Sequence, residues 1–174
     1  MFPILETERL VLRELNENDA IGILNCFSNK EVLRYYGQKP LTSTDQVKQI
    51  IRNFSMNFNE KRGIKWGIEL KGKEGIIGTI GFQEWSQEHK RADLSYALFP
   101  ENWGNGYAAE AVSKAVSYGF EELDLKRIGA VVFSENKASI KLLTKLGFQK
   151  EGVLRNYLYQ NGVPFDTNIY SLLR

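Results

Sequence analysis

Three predicted strands that run into a glycine-bearing loop and a helix place the strongest constraint on the fold of this chain. The strands cover residues 65–70, 76–85 and 92–99, and the turn Lys-Gly-Lys-Glu-Gly between the first two predicts a hairpin. After Pro100 a short loop, Glu-Asn-Trp-Gly-Asn-Gly, leads into residues 107–123, whose alanine-rich start predicts a strong helix. The centre of the chain is therefore a hairpin-linked meander followed by a loop and a helix.

The flanking segments add helices before this centre and a mixture of strands and helices after it. Hydrophobic periodicity predicts a strand at residues 9–13, then helices over 19–27 and from 42–45 to about 58. After the central helix it predicts a strand at 128–133, a helix at 136–147, and strands near 148–154 and 168–173. The order βααβββαβαββ predicts an α+β fold of about seven strands, a mixed sheet covered by helices, in one domain spanning residues 1–174.

The inventory of reactive side chains excludes several kinds of site. Cys26 is the only cysteine and His89 the only histidine, so an intrachain disulfide is impossible and no metal site is expected. The single histidine, in a polar run, also weakens any Ser-His-Asp or Cys-His arrangement. A net charge of +2 argues against a nucleic-acid partner. No signal peptide or bilayer-spanning run is evident, so we expect no membrane partner and a cytoplasmic location.

Two of three glycine-rich interpretations imply a phosphate-binding loop after residue 100. Residues 67–74 have the spacing of a nucleotide-binding P-loop, but they end in Glu and lie between two strands, which favours a hairpin turn. Residues 104–109 fit the Gly-x-Gly-x-x-Gly/Ala dinucleotide fingerprint, with Glu135 as the acid that fingerprint expects. The same loop also suits a pyrophosphate held by backbone N–H groups and the N-terminus of the following helix.

Ordered blocks along nearly the whole chain resemble the GNAT superfamily of acetyl-coenzyme A dependent N-acetyltransferases, and within it the ribosomal-protein N-terminal acetyltransferases. The blocks are TERLVLR at residues 7–13, IGTIGF at 77–82, YAL at 96–98, WGNGYAAEA at 103–111, NKAS at 136–139, LGF at 146–148 and EG at 151–152. Trp103 occupies the first position of the superfamily loop Gln/Arg-x-x-Gly-x-Gly/Ala. The resemblance implies a single GNAT domain with a mostly antiparallel, twisted sheet and helices on both faces.

The resemblance also implies which residues hold acetyl-coenzyme A. Leu98 and Phe99, at the end of a strand with a splayed edge, are the candidates for the pantetheine arm and for the oxyanion. Asn136 and Ser139, which match an Asn-x-x-Ser arrangement, are further candidates to contact the coenzyme. The loop expected to bind the phosphates comprises Trp103, Gly104, Asn105, Gly106, Tyr107 and Ala108.

Transfer of an acetyl group to an amine needs a base for the ammonium proton and an acid for the departing thiolate. Many GNAT enzymes supply the acid from a tyrosine, but the matching position here is Leu143, so Ser139 becomes the candidate. Asp93 is the candidate base, with Glu84 or a water relay as the alternatives. A free Asp is a weak base at neutral pH, so burial would have to raise the pKa of Asp93.

The expected activity is transfer of an acetyl group from acetyl-coenzyme A to a primary amine by direct attack. The acceptor that the resemblance favours is a protein N-terminus, with a ribosomal protein as the partner, in a monomer or a homodimer. A small-molecule amine as acceptor, a non-catalytic acyl-coenzyme A binding domain and a dinucleotide oxidoreductase remain alternatives, although no acidic patch demands a polyamine. The aromatic residues expected to wall the acceptor pocket are Tyr35, Tyr36, Trp85, Tyr157 and Tyr159.

Overall fold

The computed structural model describes residues 1–174, and its centre is one sheet of eight strands. In chain order the strands are β1 (Leu5–Glu6), β2 (Leu10–Glu14), β3 (Ile64–Leu70), β4 (Ile76–Ser86), β5 (Arg91–Leu98), β6 (Arg127–Phe133), β7 (Gln149–Gln160) and β8 (Val163–Leu173). Their order across the sheet is β1-β2-β3-β4-β5-β6-β8-β7. Every neighbouring pair is antiparallel except β5 and β6, so the expected mostly antiparallel sheet is confirmed.

The sheet has one strand more than the predicted seven. Leu5 and Glu6 form a two-residue strand that pairs with Leu12 and Val11, and a segment this short carries no periodic signal. The last two strands are also longer than predicted, because they continue to a tight turn at Asn161 and Gly162, both of which have positive φ. Register shifts at two places in the β7–β8 pair interrupt the alternation from which strand ends are predicted.

Five helices cover both faces of the sheet: α1 (Ala20–Phe27), α2 (Lys30–Leu33), α3 (Thr44–Asn59), α4 (Tyr107–Glu121) and α5 (Lys137–Lys145). The sequence did not predict α2, which is a single turn capped by the side chain of Asn29. The helix α3 begins where Ser43 accepts a hydrogen bond from the N–H of Gln46. No helix has both the length and the hydrophobicity that a membrane-spanning helix requires.

The sheet separates two hydrophobic clusters because successive side chains of a strand point to opposite faces. The helices α4 and α5 pack on one face, with Ala111, Val112 and Leu143 fully buried. The helices α1, α2 and α3 pack on the other face through Ile23, Val47 and other apolar residues. In β5, Leu94 and Leu98 belong to the first cluster and Ala97 to the second, so this central strand contributes to both faces.

The parallel pair formed by β5 and β6 is short, and the two strands then separate. Pairing covers only Arg91 with Arg127, Ala92 with Ile128 and Asp93 with Gly129. Beyond this point β6 stays paired with β8 on its other edge, and β5 stays paired with β4. We call the resulting opening, between residues 94–98 and 130–133, the fork. It is an interior gap in the sheet where backbone groups have no strand partner.

An ion pair at the edge of the second cluster anchors the start of the helical segment to the sheet. Arg13 on β2 donates two hydrogen bonds of 2.9 Å to the carboxylate of Asp19 and one of 2.7 Å to Glu69. The same carboxylate accepts from the backbone N–H of Asn16. The side chain of Asp19 is 5% exposed and that of Arg13 is 22% exposed, so solvent screens the pair only in part.

We expect the substitution Asp19→Asn to lower the free energy of unfolding by about 2 kcal/mol, because it leaves a largely buried guanidinium with one carboxylate instead of two. Urea denaturation followed by circular dichroism measures the loss. The matched control is Glu17→Gln, which removes a carboxylate that is half exposed and bonded to Arg52. Equal effects of the two substitutions would show that the buried pair adds no more stability than the exposed one.

Candidate active site

A cavity of about 520 Å³ occupies the fork and reaches both faces of the sheet. Its walls come from the end of β5, the loop after it, the first turn of α4, the start of α5 and the helix α2. Eight of the predicted site residues lie in these walls: Leu98, Trp103, Gly104, Gly106, Tyr107, Ala108, Asn136 and Ser139. The structure therefore brings together residues that are up to about forty positions apart in the chain.

The backbone at the end of β5 offers hydrogen-bond donors to this cavity. Phe99 donates its N–H to the carbonyl of Ile77 on β4, and backbone groups of successive residues alternate between the two edges of a strand. The N–H groups of Tyr96 and Leu98 therefore point to the other edge, into the fork. The carbonyl of Leu98 accepts a hydrogen bond of 2.9 Å from the indole N–H of Trp103.

The structure places Phe99 outside the cavity. Its N–H is bonded to Ile77, its carbonyl accepts from Asn102, and its ring packs over Gly22 of α1. These contacts leave no backbone group of Phe99 for a ligand, so of the two predicted strand-end residues only Leu98 retains a free donor. An alternating strand cannot present two consecutive N–H groups to one edge, which is why only one of the pair can serve.

The loop after β5 is shaped by two glycines with left-handed backbone. Gly104 has φ of 76° and Gly106 has φ of 79°, a region that residues with a Cβ atom rarely adopt. Gly106 is the N-terminal cap of α4, so the unpaired N–H groups of the first helical turn face the cavity. Asn105 lies outside the cavity walls, and its side-chain amide instead bonds the carbonyls of Asn102 and Trp103.

Arg9, immediately before β2, supports this loop from behind. Its guanidinium donates to the carbonyl of Asn105 at 2.9 Å and to the carboxylate of Glu110 at 2.7 Å, and lies 4.6 Å from the ring centre of Tyr107. Glu110 also accepts from the hydroxyl of Thr7 at 2.5 Å and from the backbone N–H of Arg9 at 2.9 Å. The TER block near the N-terminus therefore positions the glycine loop.

Two hydroxyl groups meet at the α5 side of the cavity. The oxygen atoms of Ser139 and Tyr96 are 2.5 Å apart, within hydrogen-bond distance. Asn136 caps α5 by accepting from the N–H of Ser139 at 3.3 Å, which holds Ser139 at the start of the helix. Burial raises the pKa of Tyr96, while its hydrogen bond with Ser139 opposes that rise, so both groups are protonated at neutral pH.

Asp93 lies at the base of the fork, on the opposite face of β5 from Tyr96. It is the last residue of β5 that pairs with β6, and its partner Gly129 leaves room for the carboxylate: a Cβ atom there would come within 2.4 Å of Asp93 Oδ1. Burial raises the pKa of this carboxyl, against the opposing charges of Arg91 and Arg127. A raised pKa is what an aspartate at this position needs in order to act as a base at neutral pH.

Glu84, the alternative base, lies close enough for its charge to add to the rise in the pKa of Asp93. It is exposed and lies in the irregular stretch where the β4–β5 register shifts, with φ of 50°. Glu84 lines a different cavity, of about 570 Å³, which we call the second cavity. Of the two carboxylates, only Asp93 combines partial burial with a place at the fork.

The expected aromatic walls are divided between different parts of the surface. Tyr35 and Tyr36 line the fork cavity, on the side of the sheet that Asp93 faces, and Trp85 lines the second cavity. Tyr157 and Tyr159 are 54% and 62% exposed and line neither cavity. Both residues belong to the hairpin of β7 and β8, since β7 continues to Gln160.

The sequence did not predict that the hydroxyl of Tyr96 lies beside Ser139, or that Arg9 holds the glycine loop in place. The sequence places Tyr96 in the YAL block of a strand, and nothing in it indicates which hydroxyl meets Ser139. The structure contains no cluster of three or more His, Cys, Asp or Glu side chains that could hold a metal ion. The walls of the fork cavity therefore carry hydroxyls and backbone N–H groups, and the carboxylate of Asp93 lies at the base of the fork, outside those walls.

Comparison with known proteins agrees with this geometry. The family model of the acetyltransferase (GNAT) domain matches residues 9–149. The chain is 56% identical over 174 residues to the uncharacterized N-acetyltransferase YoaA of Bacillus subtilis, covering all of this chain and 98% of that one.

Two solved structures extend the comparison. The spermidine N-acetyltransferase of Vibrio cholerae, solved in complex with CoA and spermine, is 26% identical, covers 96% of each chain and superimposes with a TM-score of 0.86. The ribosomal-protein-S5-alanine acetyltransferase of Vibrio fischeri is also 26% identical, over 98% of this chain and 96% of that one, with a TM-score of 0.86. The chain belongs to the GNAT family of acetyltransferases, which take their acetyl group from acetyl-coenzyme A.

Proposed function

We propose that residues 1–174 form one N-acetyltransferase domain that transfers the acetyl group of acetyl-coenzyme A to the α-amine of a protein N-terminus by direct attack. The observation that carries this proposal is the fork, where a glycine loop, free backbone donors and a hydroxyl pair surround one cavity that is open to both faces of the sheet. A ribosomal protein is the favoured acceptor, since one relative of 26% identity is named for ribosomal protein S5. Such an acceptor implies a cytoplasmic enzyme.

The coenzyme would enter the fork from the side of α4 and α5. The N–H groups of the loop and of the first turn of α4 suit a pyrophosphate, since they carry the positive end of the helix dipole. The pantetheine arm would continue the sheet by bonding the free N–H groups of Tyr96 and Leu98. The relative from Vibrio cholerae supports this proposal, because it was solved with CoA bound.

The acceptor would approach from the opposite face, past Tyr35 and Tyr36. The proton of its ammonium group passes to the carboxylate of Asp93, directly or through water, and the free amine attacks the carbonyl carbon of the thioester. The negative charge that develops on the carbonyl oxygen is stabilised by a backbone N–H of β5. The raised pKa of Asp93 supports its role as base.

Collapse of the tetrahedral intermediate breaks the C–S bond and forms the amide. The electron pair leaves with the sulfur, which takes a proton from the hydroxyl of Ser139. Tyr96, with its hydroxyl 2.5 Å from that of Ser139, can return a proton to it. Acid and base then lie on opposite faces of β5, so the acceptor and the departing thiol do not compete for the same space.

A small-molecule amine is the second candidate acceptor. The observation in its favour is the relative from Vibrio cholerae, which is named for spermidine and was solved with spermine. The walls of the fork cavity include both Glu31 and Arg34 on the acceptor side, so they do not present the purely acidic surface that suits a polycation. An acceptor screen with peptides and spermidine decides between a protein N-terminus and a small-molecule amine. Binding of acetyl-coenzyme A without transfer to any amine would instead support a non-catalytic domain.

We expect the substitution Gly106→Val to abolish binding of acetyl-coenzyme A, because a branched side chain would strain the left-handed cap of α4 and crowd the Arg9 guanidinium, which lies 3.4 Å from an added Cβ, and so distort the loop that would hold the pyrophosphate. Isothermal titration calorimetry measures the affinity. The matched control is Gly72→Val in the β3–β4 turn, where φ is 77° and no atom lies within 4 Å of an added Cβ. Both variants carry a backbone strain of about 1–2 kcal/mol, and only the Cβ at position 106 also meets Arg9. Tight binding by folded Gly106→Val would refute the phosphate-loop assignment.

The substitution Ser139→Ala should lower kcat by about 100-fold and leave the affinity for acetyl-coenzyme A within about twofold, because it removes only the proton donor. Tyr96→Phe should cause a smaller loss in kcat, since Ser139 would still exchange protons with water. Single-turnover release of the thiol measures both. Ser117→Ala, which removes a hydroxyl bonded to Glu121 on α4, is the control. An unchanged rate in Ser139→Ala removes this residue from the mechanism.

The substitution Asp93→Asn should lower kcat/KM by about 100-fold and remove the acidic limb of its pH profile. In the wild type the rate should fall as the pH drops through the raised pKa of Asp93, because the base becomes protonated. Since a raised pKa means that folding disfavours the ionised form, Asp93→Asn should be at least as stable as the wild type at pH 7. Thermal unfolding checks this point. If Glu84→Gln shows the kinetic loss and Asp93→Asn does not, the base is Glu84.

A further inference from the structure

The second cavity lies beside the proposed base, under the end of α3. It is formed by the last turns of α3, the start of β3 and the β4–β5 hairpin. The charged residues in its wall are three cations and one acid: Arg62, Lys65, Arg91 and Glu84. Arg62 is paired with Glu60, which lies outside the wall. Lys65 and Arg91 have no ion-pair partner, so the cavity presents an excess of positive charge.

Lys65 is the cation placed deepest in this cavity. Its side chain lies across Gly81 of β4, where an added Cβ atom would come within 2.9 Å of the lysine stem, and its ammonium group donates to the hydroxyl of Ser95 at 2.7 Å. The ring centre of Phe54 lies 5.9 Å from the ammonium nitrogen. An ammonium group has three donors, and the structure supplies a hydrogen-bond partner for one of them.

Burial lowers the pKa of Lys65 to about 8, so the side chain is still mainly an ammonium ion at neutral pH. A partly buried cation without a carboxylate carries a desolvation cost, and proteins often pair it. The free donors and the missing counter-charge indicate that an anion from outside the chain complements this position. Glu84, the acid in the same wall, is exposed and forms no ion pair with a lysine or an arginine.

The geometry connects this cation to the reacting amine. The odd-numbered residues of β5 point to the same face of the strand; they are Arg91, Asp93, Ser95 and Ala97. Of these, Arg91 and Ser95 line the second cavity, and Ala97 lines the fork cavity. The two cavities therefore adjoin along β5, with Asp93 between two residues of the second cavity. Ser95, which marks the position of the Lys65 ammonium group, is two residues from Asp93, or about 7 Å along the strand.

We propose that Lys65 selects acceptors by binding a carboxylate close to the reacting amine, so that the preferred substrate is a peptide N-terminus whose second residue is Asp or Glu. This inference rests on the proposed function. An aspartate or glutamate at the second position of a peptide can reach Lys65 while the α-amine lies at Asp93. Spermidine, which has only positive charges, would meet the excess cations of the second cavity and bind weakly.

Matched peptides test the preference directly. The tetrapeptides Ser-Asp-Ala-Gly, Ser-Asn-Ala-Gly and Ser-Lys-Ala-Gly, each amidated at the C-terminus, differ only in the charge of the second residue. We expect the wild type to acetylate the aspartate peptide with kcat/KM about tenfold above that of the asparagine peptide, and the lysine peptide more slowly than either. Equal rates for the aspartate and asparagine peptides would overturn the proposal.

The substitution Lys65→Met keeps the apolar stem and removes the charge. It should reduce the ratio between the aspartate and asparagine peptides to within about twofold of unity, whereas the control Lys73→Met, in the exposed β3–β4 turn, should leave it unchanged. The ratio cancels any general loss of activity, and thermal unfolding checks that Lys65→Met is folded. A preference for aspartate that persists in Lys65→Met would overturn the assignment to this residue.

Equilibrium binding separates failure of this inference from failure of the proposed function. Calorimetry with the enzyme and CoA measures the affinities of the same three peptides without any turnover. If no peptide is acetylated but the aspartate peptide binds best and Lys65→Met removes that advantage, the proposed function fails and the selective site stands. If peptides are acetylated with no charge preference in rate or affinity, the function stands and the selective site fails.

Discussion

The separation of β5 from β6 is the constraint on which the rest of the active site depends. Two parallel strands that share three residue pairs and then diverge leave backbone N–H groups without partners in the middle of the sheet. Unsatisfied backbone groups in an interior are costly, so an opening of this kind persists only where a ligand or water can complete the bonds. The flanking pairs hold it open: β4 binds the outer edge of β5, and β8 binds the outer edge of β6.

The alternation of side chains along β5 divides the chemistry between the two faces of the sheet. Odd-numbered positions carry Asp93 and Ser95 toward the helices before the meander, and even-numbered positions carry Tyr96 toward α5. A reaction that must accept a proton from one substrate and give a proton to another gains from this division. The proton acceptor and the hydroxyl pair need no flexible loop to keep them apart, because the pleat of one strand does so.

The sequence predicted the parts of the molecule that are coded locally. The meander, the glycine loop and α4 follow from periodicity, turn residues and helix propensity, and eight of the proposed cofactor residues do line one cavity. It failed where the information is non-local. A two-residue strand has no period, so β1 was missed, and the register shifts in β7 hid the length of the last hairpin. The meeting of Lys65 with Ser95 depends on strand register and on the absence of a side chain at Gly81, which no short motif records.

Because Arg9 supports the glycine loop, the shape of the loop depends on a residue far from it in the sequence. Written as a sequence, the loop is a short continuous motif that could be copied from one chain to another. In the folded molecule, its helix is held by a hydrogen bond from Arg9 to Glu110 that spans 101 positions of the chain. Closing a contact of such separation costs chain entropy, which the packing of the whole sheet offsets. The conformation of the binding loop thus depends on the whole domain, and a fragment that contained every residue of the loop would still lack its shape.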